Sequence, residues 1–411
     1  MIRMVKVQLR SSLSIVGIVS VMMLVGPAHG QAPIRIGMSV SLTGTYSALG
    51  QNVRRGAQLC INKTNEKGGL LGRKLELVVE DDGSKPDKAI SIYEKILGSK
   101  SVDLVLSPYS SSITNAVGDV AEKYKYPMIG CCASTASVYQ KGRKYLVQFS
   151  SPATGYLEGL IDLAAARGLK TVALIHEKST FPNAAALGAV QAANKKGLKV
   201  VLHEAFPKGS DGYIALLQRV KELNPDVLAA AVYFEDTVAI TRKLKELDIN
   251  PRMFGVTVGG DLPKFYETLG PDAEFIYVPT KWVAELIDMR AGGLVPLSRR
   301  YPGASEFAAD HKKAFPGADF SYHTAEAYGA CQILTGAVQR VGSLDRARII
   351  EDIRSLETNT AFGIFRLDGD GVQIGHKIFM FQWQDGKKAV VWPKELAAKQ
   401  TRFPTPPWNK R

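Results

Sequence analysis

No residue pattern for covalent or metal catalysis occurs in this chain. It lacks a Gly-x-Ser-x-Gly turn, a His-Glu-x-x-His pair, a phosphate-cradling loop that ends in Gly-Lys-Ser or Gly-Lys-Thr, and a Gly-x-Gly-x-x-Gly after a strand. Histidine is scarce, with six in 411 residues, and His176, His203, His311, His323 and His376 are scattered with no two at ligand spacing on one helix face. Each therefore reads as a structural or surface histidine, and neither a metal nor a cofactor is expected. Cysteine is scarcer still: Cys60, Cys131, Cys132 and Cys331. The vicinal pair is no zinc motif, and four cysteines leave three connectivities open. An oxidising compartment would permit pairing. A core of this size does not depend on it, so the four are read mainly as small buried apolar side chains.

Long apolar runs are missing too. The longest, residues 13–25, falls short of the ~20 residues that span a membrane. It follows a cationic stretch with Arg3, Lys6 and Arg10 and precedes small and polar residues to position 32. That is the layout of a secretory signal peptide over 1–30, cut after Gly30. No cysteine sits at the cut, so no lipid anchor is expected, and the mature chain should be soluble and exported. The net charge of +13 at first looks like a nucleic-acid signal, but most of it lies at the two ends. The leader holds +3 and residues 387–411 hold +6, which leaves +4 for the folded body. Such runs are solvated ends rather than a phosphate-tracking stripe, and nucleic-acid binding is not expected.

What the chain does contain is alternation. Buried-strand patterns at 34–42, 75–80, 102–106 and 126–130 are separated by amphipathic stretches at 51–65, 86–97 and 110–124. The pattern resumes with strands at 171–176, 198–205, 226–232 and 252–256 between helices at 154–167, 182–196, 212–223 and 235–247. This order predicts an α/β fold of two similar lobes, each with a mainly parallel sheet flanked by helices. The roughly 380 residues left after the leader also favour two domains. Pro225 predicts a helix end at Asn224. Helices are predicted at 302–315, 322–341 and 345–356, and then a hairpin of strands 363–367 and 377–384 around the Asp-Gly turn at 368–371.

The binding signal lies at the carboxyl ends of strands, where open α/β sheets hold ligands. The third strand runs into LSPYSSS at 106–112 and directly into a helix, so Ser110 or Ser111 is the N-cap. Orphan N–H groups and the helix dipole there suit a carboxylate, although simple capping accounts equally well for any one serine. The fourth strand ends in CCAST at 131–135, which adds Ser134 and Thr135 on the adjacent edge. Two hydroxyl-rich loops converge on one anion, which neutral dipoles would hold without Arg or Lys.

At these residues the chain resembles the branched-chain amino-acid (leucine-binding, type I) family of periplasmic solute-binding proteins. The resemblance runs over the mature chain through IGMSVSLTG at 36–44, NEKGGLLG at 65–72, VEDD at 79–82 with Ala89, Ser110 and Ser111, Thr135, Ala327 and Tyr328, and VWP at 391–393. It implies two lobes joined by three crossings, with residues 33–150 and 279–358 in one and 151–278 and 359–411 in the other. It also implies a periplasmic monomer that closes on a small carboxylate ligand and docks on the membrane permease of an ABC importer. The ligand carboxylate would sit on Ser110 and on Ala133, Ser134 and Thr135. Leu49, Tyr156, Phe181 and Tyr233 would form apolar and aromatic walls. Where amino-acid binders place an acid after the strand at 252–256, Thr257 stands here. A buried ammonium without an anion is costly, so an aromatic or aliphatic carboxylate without an amino group is a second expectation, with Glu235 or Asp236 as possible substitutes for the acid. A sensor that presents its ligand to a receptor would look the same, whereas a secreted hydrolase lacks its Ser–His–acid set.

Overall fold

Parallel sheets follow from the strand–helix alternation, because a strand buried on both faces is apolar throughout while its helices are apolar on one side. In the computed structural model, residues 1, 31–282, 303–318, 320–397 and 399–411 are described; apart from Met1, the expected leader lies outside them. The first lobe runs β1 (Ile34–Val40), α1 (Ser47–Glu66), β2 (Leu75–Asp81), α2 (Pro86–Gly98), β3 (Leu104–Val105), α3 (Ser111–Tyr124), β4 (Met128–Gly130) and β5 (Leu146–Gln148). Its strands pair in parallel, as β2-β1-β3 and as β4-β5. The sequence pattern had not shown β5, whose three residues are too short to carry a period.

The second lobe continues with α4 (Glu158–Ala166), β6 (Thr171–Glu177), α5 (Thr180–Lys195), β7 (Lys199–Phe206), α6 (Tyr213–Leu223), β8 (Val227–Ala231), α7 (Phe234–Glu246), β9 (Met253–Val256), α8 (Pro263–Leu269) and β10 (Tyr277–Thr280). β8 is Val-Leu-Ala-Ala-Ala and wholly buried, as a central parallel strand should be. α6 ends as expected at Asn224, which takes the left-handed cap conformation just before Pro225. The chain then returns to the first lobe through α9 (Ala304–Ala314), α10 (Tyr322–Val341) and α11 (Arg346–Ser355).

The β ending differs from the predicted hairpin. β11 (Thr358–Asn359) pairs with β12 (Ile364–Phe365), while β13 (Phe379–Gln384) pairs with β14 (Lys387–Trp392) and with β10. The hairpin turn is therefore Asp385-Gly386, and Asp368 instead folds its carboxylate onto the N–H groups of Asp370 and Val372. Residues 364–373 stay against the first lobe: Gln148 N–H donates to Gly371 O, and Gln373 Nε2 donates to Phe149 O. The chain thus passes to the second lobe after Gln373, later than the boundary expected at 358. There β13 and β14 extend the sheet to β14-β13-β10-β9-β8-β6-β7.

α1 and α10 pack closely. A Cβ on Gly56 would lie 2.1 Å from Thr324 O, so only glycine permits this approach. Cys60 and Cys331 are joined across the same contact, while Cys131 and Cys132 are free and buried. The apolar reading therefore holds for the vicinal pair and not for the other two, because pairing is decided by which helices meet. Replacing Cys60 and Cys331 together by serine should lower the thermal midpoint. The bridge closes a 271-residue separation, and loop entropy sets an upper limit of about 5.6 kcal/mol. Calorimetry of the wild type with and without reductant checks this, and an unchanged midpoint in both comparisons would contradict it.

Candidate functional site

Two adjacent acids set the mouth of the cleft. Asp82 accepts the hydroxyls of Ser39 and Ser41, and Asp81 accepts the N–H groups of Leu42 and Gly83 and the Thr43 hydroxyl. These bonds pin the loop after β1, and Tyr46 N–H is held on Ser84 Oγ at 3.0 Å. Asp81 is pulled down to about 2: burial raises it, but the hydrogen bonds from Thr43, Gly83 and Leu42 outweigh burial. Tyr46 is thereby fixed where the lobes meet, with its ring 4.8 Å from that of Tyr233.

α3 starts at a conformationally strained residue. Ser110 is the N-cap, with φ 84° and ψ 151°, and its Oγ accepts from Ile113 N–H. That region of backbone space is nearly restricted to glycine and costs on the order of 1–3 kcal/mol. The turn directs the helix start towards the cleft, which is lined by Tyr109, Ser111, Cys132, Ser134, Tyr156, Phe181, Tyr233, Val258, His323 and Glu326. Of the residues picked from sequence, Ser111, Ser134, Tyr156, Phe181 and Tyr233 meet here. Tyr156, Phe181 and Tyr233 form a chain of rings with centroids 4.8 and 5.6 Å apart.

The others have different places. Leu49 is buried in the first-lobe core. Ala133 O accepts from Tyr139 and Gln148. Thr135 N–H donates to Ser111 Oγ, and its hydroxyl crosses to Thr180 O in the second lobe at 3.4 Å. Thr257 is fully buried and its hydroxyl is spent on the residue just after β8, accepting from Val232 N–H and donating to Val232 O. Of the proposed substitutes, Glu235 is exposed and Asp236 is half-buried near Lys208.

No Lys or Arg is among the described residues that line the cleft, but one buried cation stands beside Ser134. Lys281, in the second crossing just after β10, is buried and pairs with Glu326 of α10, while Ser150 in the first crossing accepts from it too. Ser150 Oγ donates to Glu326 Oε1 at 2.7 Å and lies 2.7 Å from Ser134 Oγ, which is itself 2.7 Å from Tyr156 OH. Ser134 thus belongs to a network that joins both lobes and two crossings. Burial alone would discharge Lys281, but the Glu326 carboxylate and the Tyr156 hydroxyl outweigh it and hold the ammonium above the ordinary lysine range. Burial moves Glu326 upward, with Lys281 pulling the other way. His323, stacked on Tyr322 at 4.0 Å, is kept neutral by burial and then by Lys281. Sequence reasoning missed Lys281 and Glu326. The one signal was a glutamate inside the small-residue stretch of α10.

The comparisons with known proteins agree with this architecture. Residues 33–388 match the profile named "Periplasmic binding protein". The chain belongs to the periplasmic binding protein family. This is a family of solute-binding proteins, not of enzymes. A relative, the Leu/Ile/Val-binding protein BraC3 of Rhizobium johnstonii, is 25% identical over 87% of this chain and 93% of its own. The leucine-binding protein LivK of Thermotoga maritima has the same fold, with a TM-score of 0.76 at 22% identity over 87% of this chain and 97% of that one. A solute-binding protein of Rhodopseudomonas palustris, solved with benzoate, has a TM-score of 0.75 at 17% identity over 87% of this chain and 95% of its own.

In this binding protein the lobes also meet at the mouth. Lys208 Nζ donates to Tyr46 OH at 2.6 Å and stands 4.1 Å from its ring centre, and Ser112 Oγ reaches Thr180 Oγ1 at 3.1 Å. Glu177 and Asp236 flank this contact, and Asp236 is pushed up to about 6 by burial and by Glu177.

Two outcomes follow from the charges. Lys281→Met leaves the Glu326 carboxylate buried without its cation, so stability should fall by about 3–5 kcal/mol. Combining it with Glu326→Leu should restore most of the loss in urea unfolding, and a double variant as weak as the single would refute the pairing. Asp261 is buried and raised from 3.8 to about 6, by burial first, with Lys388 and then Lys281 pulling the other way. The folded state therefore holds that proton more tightly, and the associated stability is full below 3.8 and lost as pH rises through about 6. Asp261→Asn should flatten part of this fall when thermal midpoints are measured from pH 4 to 7.

Proposed function

We propose that this protein is the periplasmic receptor of an ABC importer. It captures a small carboxylate-bearing solute between its lobes and hands it to the membrane permease, acting as a monomer and without turning the solute over. What supports this most is the meeting, in one cleft, of the start of α3 with aromatic side chains of the opposite lobe. The first N–H groups of a helix have no partner inside it, and together with the dipole they suit an anion. Ser111 adds a hydroxyl at that end of the cleft. Tyr156, Phe181 and Tyr233 offer a large apolar surface with few rotors to freeze.

The relatives' ligands fit the same chemistry. Leucine, isoleucine and valine are named for the Rhizobium relative and benzoate for the Rhodopseudomonas structure, and each joins one carboxylate to a compact apolar body. Branched-chain amino acids are the leading candidates for this chain. The case for a carboxylate without an amino group began from Thr257, and the hydroxyl of that residue is bonded to the backbone of Val232.

Isothermal titration of the mature chain with leucine, isoleucine, valine, benzoate and hydroxybenzoates tests the proposal. At least one should bind with micromolar or tighter affinity, and Ser111→Ala should weaken it roughly tenfold for the loss of a charge-assisted hydrogen bond. No shift with any member of the panel, or consumption of a bound solute on long incubation, would overturn it.

A further inference from the structure

The cleft holds one carboxylate whose hydrogen bonding is only half complete. Glu326 has no exposed surface and lines the cleft. Its Oε1 is occupied, accepting from Ser150 and Lys281. Its Oε2 is buried with no hydrogen-bond partner among the described residues, and the Cys132 thiol, a weak donor, is the neighbour that leans on the carboxylate. A buried carboxylate oxygen left without a donor is costly, more so than a neutral group. Glu326 cannot turn to share the cost, because Lys281 and Ser150 hold the other oxygen. An oxygen so placed is preorganised for a donor that arrives from the cleft side.

Charge says what kind of donor. Lys208 lies near Glu177 and Asp236 at the mouth, Lys281 is paired with Glu326 of the cleft lining, and Asp261 feels Lys388 of β14 and Lys281. Lys281 is committed to Glu326. A solute that brought only a carboxylate would add negative charge to a buried region already in acid excess. One that also brought an ammonium would enter neutral overall and give Glu326 the donor it lacks.

We propose that Glu326 is the specificity-determining acid of the cleft, taking the ammonium of a zwitterionic solute on Oε2 while Lys281 fixes Oε1. The inference rests on the solute-capture reading above and deepens it. The acid comes from α10 at the hinge side of the first lobe, not from the loop after β9. Lys281, which does not itself touch the solute in this arrangement, is a positioning residue.

The test uses pairs of solutes that differ only in the amino group: leucine against 4-methylpentanoate, and phenylalanine against 3-phenylpropanoate. Affinities are measured for the wild type, for Glu326→Gln, and for Lys281→Met combined with Glu326→Gln, which removes both charges together and so guards against loss of folding. The wild type should favour the ammonium-bearing member at least tenfold. Glu326→Gln and the double variant should each bring that ratio close to one, whereas a purely structural role would weaken both members alike and leave the ratio unchanged. An unchanged ratio in both variants, or a wild-type preference for the amino-free acids, overturns the assignment of Glu326 and leaves solute capture standing. Binding of no member by the wild type, nor of any solute in the wider panel above, overturns the capture reading and this one with it.

Discussion

A lysine and a glutamate buried against each other hold the centre of this molecule. Removing either charge from water costs several kcal/mol after relaxation, so Lys281 and Glu326 stay ionised only while each meets the other with further hydrogen bonds. Those bonds are what make the pair structural. Ser150 comes from the first crossing, Lys281 from the second and Glu326 from α10, while Ser134 and Tyr156 extend the network into the cleft. The lobes are thus joined at the base by a polar cluster with strict geometry. The segment that leads into the third crossing is attached nearby, Trp282 Nε1 donating to Ala361 O and Gln373 Nε2 to Phe149 O.

The mouth is built differently. There the lobes touch through rings and through Lys208 on Tyr46, with Glu177 and Asp236 close by. Contacts near solvent are weaker and more easily exchanged than the buried cluster, so closure can be reversed at the rim while the base keeps its register. That division suits a protein that must hold a solute and then release it. Between rim and base lie the start of α3 and the aromatic walls, which supply dipoles and apolar area without a committed counter-ion.

Much of the scaffold was readable because its causes are local. Pro86 opens α2, Pro225 forces the end of α6 at Asn224, and α10 spans residues 322–341 as its period predicts. The hydroxyl-rich turns after β3 and β4 were found from composition at strand ends, and Ser111, Ser134, Tyr156, Phe181 and Tyr233 do share one cleft. The errors have a common origin. Strand 377–384 was paired with its sequence neighbour, yet its partners are β14 and the distant β10. Thr257 was weighed as a ligand position, yet its hydroxyl serves the backbone of Val232, just after β8.

By itself, the sequence determined the alternation of strands and helices, the lobed α/β class and the helix start that suits a carboxylate, because propensity, capping and period act over a few residues. The tertiary structure alone decided that Cys60 meets Cys331, that Thr257 bonds the backbone of Val232, and that Lys281 lies on Glu326. Those partners are 271, 25 and 45 residues apart. No local pattern encodes such distances, since they depend on how whole elements pack. A lone glutamate in an apolar helix becomes intelligible only when the lysine that neutralises it is seen beside it.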